Sequence, residues 1–336
     1  MPTLREVAAR AGVHVGTASR ALNEETRTLV NDQTAQRVLL AAAELGYQPN
    51  PIARGLKTNR SMSIGVVIPD LTNPLFPPIV RGIEDALMAE GYTPLLVNTD
   101  NDAEREAVLV TALRHRQVDG LLFATARLQH PTITKLASEN VPLVLVNRRL
   151  DSAELPTVTS DDAAGVELAL DHLVELGHTR IAYIAGPQTT STGTDRLAAF
   201  RAGMARHGLD PSAVVDTARW SEREGERASA ELTARHPGFT AVLAGNDLLA
   251  LGCYDYLAAQ GLSCPGDVSV IGFNDMQFMD KVRPGLTTVA LPQYEVGATA
   301  ARLLLERIRQ PGTPPRTIVL PVTLTVRGST AVPRAA

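Results

Sequence analysis

Thr3-Leu-Arg-Glu-Val-Ala-Ala-Arg-Ala-Gly12-Val-His-Val-Gly-Thr-Ala-Ser-Arg-Ala-Leu-Asn23 reads as helix, tight turn, helix. Thr3 and Glu6 have the spacing of a capping box, in which each satisfies a backbone donor at a helix start. Leu4, Val7, Ala8 and Ala11 recur at helical spacing. Gly12 accepts the left-handed conformation that ends a helix, and Val13 is an apolar plug between the two helices. The second helix, about 15 to 22, sets Ala18, Ala21 and Leu22 on one face. Its other face is Gly16, Thr17, Ser19 and Arg20, with Asn23 at the end. A short helix with small polar residues and an arginine on its free face can enter a DNA major groove. An ordinary amphipathic helix pair has the same periodicity, so the following residues decide.

Asn31 or Asp32 can cap a third helix, about 33 to 45, with Val38, Leu39, Ala42 and Leu45 inward and Gly46 closing it. Tyr47-Gln-Pro-Asn-Pro51-Ile-Ala-Arg-Gly-Leu-Lys57 follows. Asn50 is a good helix cap and Pro51 suits the first helical position. Two turns at most are too short to be stable alone. A marginal helix between two folded bodies is a candidate hinge.

These residues resemble the lactose-repressor and purine-repressor family of bacterial transcription regulators. The matching pieces are Thr3-Leu-Arg-Glu-Val-Ala, Ala11-Gly-Val, Thr17-Ala-Ser-Arg-Ala-Leu-Asn23, Glu44-Leu-Gly-Tyr-Gln-Pro-Asn50 and Ala53-Arg-Gly-Leu56. Further on come Ser63-Ile-Gly-Val-Val-Ile-Pro69, Asn73-Pro-Leu-Phe76, Gly245-Asn-Asp247, Val270-Ile-Gly-Phe273 and Leu286-Thr-Thr288, so the resemblance spans nearly the whole chain in order. It implies that Val15 and Gly16 choose bases with Arg20 as a third reader. Thr17, Ser19 and Asn23 would position the backbone, and Thr3, Asn50 and Ala53 would also meet DNA. Leu56 matches the family's minor-groove wedge. Val15 offers only apolar contact and Gly16 no side chain, so Arg20, which can pair bidentately with guanine, carries most direct readout. His14 stands where a serine-like cap is usual; it either contacts phosphate or caps poorly.

At 336 residues the chain predicts two to three compact units. The resemblance divides it into a headpiece (1–48), a hinge (49–60) and an effector-binding, dimerising body (61–336). In the body, one subdomain takes 61–160 and 292–321, the other 161–291 and 322–336. Net charge is −4, but residues 1–60 carry eight Arg and Lys against five Asp and Glu, and the remainder 24 against 31. A basic head on an acidic body suits a protein that meets phosphates by one end. No apolar run reaches membrane-spanning length, and the N-terminus lacks a signal peptide's apolar stretch. A cytoplasmic, nucleoid-associated protein is expected, with Cys253 and Cys264 as free thiols rather than a disulfide.

From Ser61 onward, strands are read at 63–68, 94–98, 120–124, 143–147, 181–185, 241–244 and 268–273. Helices fall between them, among others at 74–90, 103–116, 162–176, 195–207, 223–235 and 247–260. This alternation predicts an α/β body of two parallel-sheet subdomains. The resemblance implies a periplasmic-binding-protein-like body whose chain crosses between subdomains near 160, 291 and 321. Ligands in open α/β sheets bind beyond the carboxyl ends of the strands. Residues there supply acceptors, cations and aromatic faces suited to a sugar. With the family positions, the expected effector residues are Asn73, Phe76, Arg148, Asp161, Arg196, Trp220, Asn246 and Asn274. Asp161, Asp195 and Asn246 also fit as simple helix caps, Phe76 and Trp220 as core, and one of Arg148 and Arg149 as a solvated charge. Family members often carry Asp where this chain has Asn147 and Asn274, and Gln near Leu291. An amide there weakens the demand for a multiply hydroxylated or cationic ligand.

Gly186 to Gly193 lacks the Gly-Lys-Ser/Thr of a phosphate loop, and no nucleophile elbow appears. His172 and His178 are spaced poorly for a metal. No cofactor, metal or catalytic residue is expected. The reading is a homodimeric DNA-binding regulator, in expectation a repressor, meeting a palindromic operator under a sugar or nucleoside effector. The rivals are an exported-type solute-binding protein and a purine-responsive, corepressor-dependent regulator. Without C-terminal leucine heptads, a dimer rather than a tetramer is expected.

Overall fold

Short apolar strands alternating with capped helices build most of the chain. The computed structural model describes residues 2–23, 26–48, 60–151 and 154–334. It separates into two units, Met1–Ser61 and Met62–Ala336.

The first unit packs α1 (Leu4–Ala11), α2 (Val15–Leu22) and α3 (Asp32–Leu45), with one 3-10 turn at Arg27–Leu29. The capping box forms: the Thr3 amide donates to Glu6 Oε2 at 2.7 Å and the Glu6 amide to Thr3 Oγ1 at 3.4 Å. Gly12 closes α1 at φ 63°, and Gly46 closes α3 at φ 62°. Of the two candidate caps for α3, Asn31 is the one used, its Oδ1 accepting from the Thr34 amide at 2.8 Å. The core is rich in alanine: Val7, Ala8, Ala11, Ala18, Ala21, Val30, Ala35, Val38, Ala41 and Ala42. Small residues let three short helices approach closely. One expectation is corrected here, since Leu39 and Leu45 point outward and Ala35 and Ala41 fill the inward positions. An exposed ion pair, Arg10 to Glu44 at 2.8 Å, joins α1 to α3.

The second unit holds two six-stranded sheets. In the first, the order is β11-β5-β4-β3-β1-β2, all parallel, with β1 (Ser63–Ile68), β2 (Thr93–Asn98), β3 (Gly120–Phe123), β4 (Leu143–Val146), β5 (Thr157–Ser160) and β11 (Thr317–Leu320). The second runs β12-β10-β9-β8-β6-β7, with β6 (Ile181–Ala185), β7 (Val214–Asp216), β8 (Ala241–Ala244), β9 (Ser269–Asn274), β10 (Thr287–Ala290) and β12 (Thr323–Thr325). Only β12 is antiparallel to its neighbour. Central strands such as Ala241–Ala244 are buried throughout, as expected when helices cover both faces. Each sheet has its first strand flanked by the next two in sequence, which places a topological switch point beside β1 and beside β6.

The helices are α4 (Phe76–Met88), α5 (Ala103–His115), α6 (Pro131–Ser138), α7 (Asp162–Glu175), α8 (Ser191–Arg206), α9 (Glu222–Arg235), α10 (Asp247–Ala259) and α11 (Gln293–Arg309). Helix α11 follows a strand of the second sheet yet packs on α4, β3 and β4 of the first. Its approach to α4 is backbone on backbone. A Cβ at Gly82 would lie 2.0 Å from the Tyr294 carbonyl, and one at Gly297 1.9 Å from that of Ile79. The chain passes from the first sheet to the second after Ser160, returns after Ala290, and leaves again between Leu320 and Thr323.

All seven strands read from the sequence form, within a residue or so at their ends. Five more, β5, β7, β10, β11 and β12, are three or four residues each and too short to show alternation. Helix α8 begins at Ser191, four residues earlier than read. The Thr190 side chain caps it from a Ser/Thr-rich stretch that resembles a loop. No helix among the described residues is long and apolar enough to cross a membrane.

Candidate functional site

Two surfaces carry chemistry, one in each unit. On the first, α2 buries Ala18 and Ala21 and leaves Arg20 exposed, its guanidinium making no hydrogen bond or ion pair with any described residue. Gly16, Thr17, Ser19 and Asn23 are half-buried on the same short helix or at its end. Val15 is also half-buried, because it packs against the headpiece core. Thr3 is exposed and engaged in the capping box. His14 corrects the expectation of a poor cap: its Nδ1 accepts from the Gly16 amide at 3.1 Å. A Cβ at position 16 would come within 3.3 Å of that nitrogen, so a glycine there leaves room for the cap. Asn50, Ala53 and Leu56 lie outside the described residues.

The second surface is a cleft at the carboxyl ends of both sheets. Its wall comprises Asn73, Leu75, Phe76, Asn147, Arg148, Thr192, Arg196, Trp220, Asn246 and Asn274. It encloses about 270 Å³ and is so narrow that a water-sized sphere barely fits. Seven of the eight expected effector residues meet here. Asp161 does not: its Oδ1 accepts from the Ala164 amide at 3.0 Å, so it caps α7.

The carboxylate that meets the site's Arg196 is Asp162. Arg196, 2% exposed, donates from Nε and Nη2 to Asp162 Oδ1, both at 2.8 Å, and from Nη1 to the Gly245 carbonyl at 2.7 Å. Its guanidinium also lies 3.7 Å from the Phe273 ring centre and 5.9 Å from that of Trp220. Burial pushes the Asp162 carboxyl above its ordinary range, and the Arg196 charge opposes that. The result is a fixed, satisfied cation that orients the indole. Trp220 can lie there because position 186 is glycine: a Cβ on Gly186 would stand 1.8 Å from the indole Cη2.

Arg148 and Arg149 divide roles. Arg148 lines the cavity. Arg149 is not merely solvated. It reaches from the end of β4 to α8, donating to Asp195 at 2.7 and 3.3 Å, while its amide donates to Ser191 Oγ at 3.0 Å. Asp195 therefore serves as an ion-pair partner inside α8. With the Leu128 amide donating to the Thr189 carbonyl at 3.0 Å, these contacts bind the two lobes beside the cleft.

The asparagines are held by local geometry. Asn73 Oδ1 accepts from the Leu75 amide at 3.0 Å, and Asn246 Oδ1 from the Leu249 amide at 2.9 Å. Each oxygen is thus engaged by a backbone amide, in a turn at Asn73 and in the cap of α10 at Asn246, which leaves the amide N–H groups for the cavity. Asn147 and Asn274 sit at φ 67° and 121°, a region asparagine enters more readily than most residues. The turn after β9 is supported by Asp247, fully buried, which accepts from the Met276 amide at 2.8 Å and the Thr288 hydroxyl at 2.5 Å. Burial pushes its carboxyl up to about 7, although those donors oppose the shift. Leu75 and Thr192 were missed from sequence. Thr192 lies within the Ser/Thr-rich stretch whose helical start was not recognised.

His172 and His178 have structural partners: His172 Nε2 meets Thr330 Oγ1 at 2.9 Å, and His178 meets Thr240 and Ser269 hydroxyls and the Ala331 carbonyl. Cys253 and Cys264 are free. Among the described residues no group of three His, Cys, Asp or Glu side chains is placed to hold a metal.

Comparison with known proteins bears on both surfaces. Residues 3–50 match the family described as bacterial regulatory proteins, lacI family, and residues 170–330 match a periplasmic binding protein-like domain. The chain is 34% identical over 330 residues to the ribose operon repressor of Halalkalibacterium halodurans, covering 98% of this chain and 97% of that one. Its structure is similar to a lac repressor dimer bound to operator and the anti-inducer ONPF, with TM-score 0.87 and 28% identity over 98% of this chain and 99% of that one. It is also similar to a LacI family regulator from Enterococcus faecium with bound ribose: TM-score 0.71, 33% identity, covering 81% and 100%.

Proposed function

The chain belongs to the lacI family of bacterial regulatory proteins, and on that premise we propose that it is a dimeric, sequence-specific transcriptional repressor controlled by a small molecule of sugar or nucleoside size. The recognition helix of each headpiece enters the major groove of one operator half-site. Arg20 reads a base there, and Thr17, Ser19 and Asn23 fix the register on phosphates. The headpieces act as a pair, which doubles a modest positive charge. The effector lies in the cleft, with Trp220 and Phe76 against its ring and Arg148, Arg196 and the asparagines on its polar edge. No catalytic step is assigned, because the cleft is organised for binding.

The observation that carries this reading is the joining, in one chain, of a capped helix-turn-helix unit to a two-sheet body with a polar, aromatic-lined cleft at the strand ends. The cleft is nearly shut, and Arg149, Asp195 and Ser191 tie its lobes. Ligand exchange therefore requires those contacts to open. A ligand that changes the lobe angle changes the separation of the two headpieces in a dimer, and with it operator affinity. The direction, release or capture, follows from which lobe angle the ligand prefers.

The test is a gel shift of the full-length protein on a palindromic operator selected from random DNA. A single sequence class is expected, and Arg20→Ala should weaken its binding and relax preference at one base pair. No shift of any DNA would overturn the regulator reading in favour of a solute-binding module.

A further inference from the structure

The two guanidinium groups in the cleft are satisfied to different degrees. Arg196 has a carboxylate, a carbonyl and a ring face. Arg148 is only 5% exposed and makes no hydrogen bond or ion pair with any described residue. Its Nε is shut away from solvent without an acceptor. Burial, and after it the positive charges of Arg196 and Arg127, lower its guanidinium to about 10. A buried cation in this condition carries an uncompensated desolvation cost until an acceptor arrives.

The cavity wall does not provide one. No Asp or Glu is among its described residues. The oxygens of Asn73 and Asn246 are already taken by backbone amides, and Trp220 can only donate. Asn274 Oδ1 is the one buried side-chain acceptor there without a partner. Arg196 is balanced by Asp162, so the wall is rich in donors and carries one unbalanced positive charge.

We propose that the effector is a small acidic molecule, a monosaccharide-sized ring or chain bearing a carboxylate, whose two oxygens take N–H groups of Arg148. The inference rests on the cleft being the effector site. A carboxylate matches the single unbalanced charge and pairs with a guanidinium through two parallel hydrogen bonds. A phosphate monoester, at roughly −1.5 to −2, overshoots that charge. A neutral sugar leaves it uncompensated. Hydroxyls of the acid supply the donor that Asn274 Oδ1 lacks. The amides at positions 147 and 274 fit this reading, since carboxylates there would repel such a ligand.

The chain has a single tryptophan, Trp220, and it stands on the cleft wall. Its fluorescence therefore reports cleft occupancy. The full-length protein is titrated with matched pairs: glucuronate and glucose, galacturonate and galactose, gluconate and sorbitol. Ribose, ribose 5-phosphate and glucose 6-phosphate complete the set, and calorimetry is run in parallel. At least one acid should change Trp220 emission and bind tenfold or more tightly than its neutral counterpart. Arg148→Gln should erase that ratio, and Arg148→Lys should keep part of it. Operator gel shift of both variants confirms that they fold. The proposal is overturned if a neutral sugar or a sugar phosphate binds best, if no acid changes the emission, or if Arg148→Gln keeps the acid preference. A neutral ligand that perturbs Trp220 and binds best removes only this inference. Ligands that give heat but leave Trp220 unchanged bind elsewhere and remove the cleft reading as well.

Discussion

Asp161 and Asp162 are adjacent and chemically identical, yet their truncation should have very different costs. Asp162→Ala removes the only carboxylate partner of Arg196 among the described residues, and the Arg196 guanidinium is nearly fully buried. Breaking a buried pair from one side costs about 3–5 kcal/mol, because the remaining charge stays desolvated. Arg196 retains the Gly245 carbonyl and the Phe273 face, which places the expected loss near the lower end, about 3 kcal/mol. With an unfolding entropy of about 2.1 cal/mol/K per residue, a body of this size loses roughly 1.5–2 °C of Tm per kcal/mol, so a drop of roughly 5–6 °C is expected. Asp161→Ala removes only the cap of α7, worth about 1 kcal/mol. Urea melts of both variants, followed by far-ultraviolet circular dichroism, measure the difference. Asp162→Ala with Arg196→Met should recover most of the loss, since no buried charge then remains unpaired. If Asp162→Ala costs no more than Asp161→Ala, or if the double variant is worse than the single, the reasoning about the buried pair is wrong.

Gly186→Ala should displace the indole of Trp220, because the added Cβ would stand 1.8 Å from it. A shifted emission maximum and an effector affinity about tenfold weaker are expected, roughly 1.4 kcal/mol; unchanged emission contradicts the packing argument. Arg20→Ala should weaken specific operator binding by roughly 1–3 kcal/mol and relax preference at one base pair. Equal weakening on random DNA in the same gel shifts would refute a base-reading role. Asp247 has a folded pKa raised to about 7, against about 4 unfolded, so the folded state holds its proton more tightly. Its stabilising contribution is full below about pH 4 and is lost as pH rises towards 7. Compared with Asp247→Asn, the wild type should lose stability across this range, and parallel melting curves from pH 5 to 8 would count against the assignment.

Much of this was legible because the relevant signals are local. A capping box, a left-handed glycine and helical spacing define the helix-turn-helix, and they need no tertiary information. Likewise, short apolar strands alternating with helices define the two sheets. Residues at strand ends were readable as cleft residues because an α/β sheet sends its carboxyl ends to one side. What did not follow was the choice between neighbouring acids. Asp161 takes the cap of α7 and Asp162 the ion pair with Arg196, and the entry of α7 decides which does which. That is not encoded by residue type. The interlobe pair of Arg149 and Asp195 lies 46 residues apart in sequence; only folding brings it together. In α3, amphipathic spacing favoured leucines, but the close approach of α1 and α2 selects alanines instead.

The central claim is that occupancy of the cleft controls the grip on DNA. It is tested most directly by measuring operator affinity of the full-length protein with and without a ligand that perturbs Trp220. Coupling of about 1–3 kcal/mol, a 5- to 150-fold change in affinity, is expected, and Gly186→Ala should reduce it at a fixed ligand concentration. A ligand that saturates the cleft by Trp220 fluorescence yet leaves operator affinity unchanged would contradict the account.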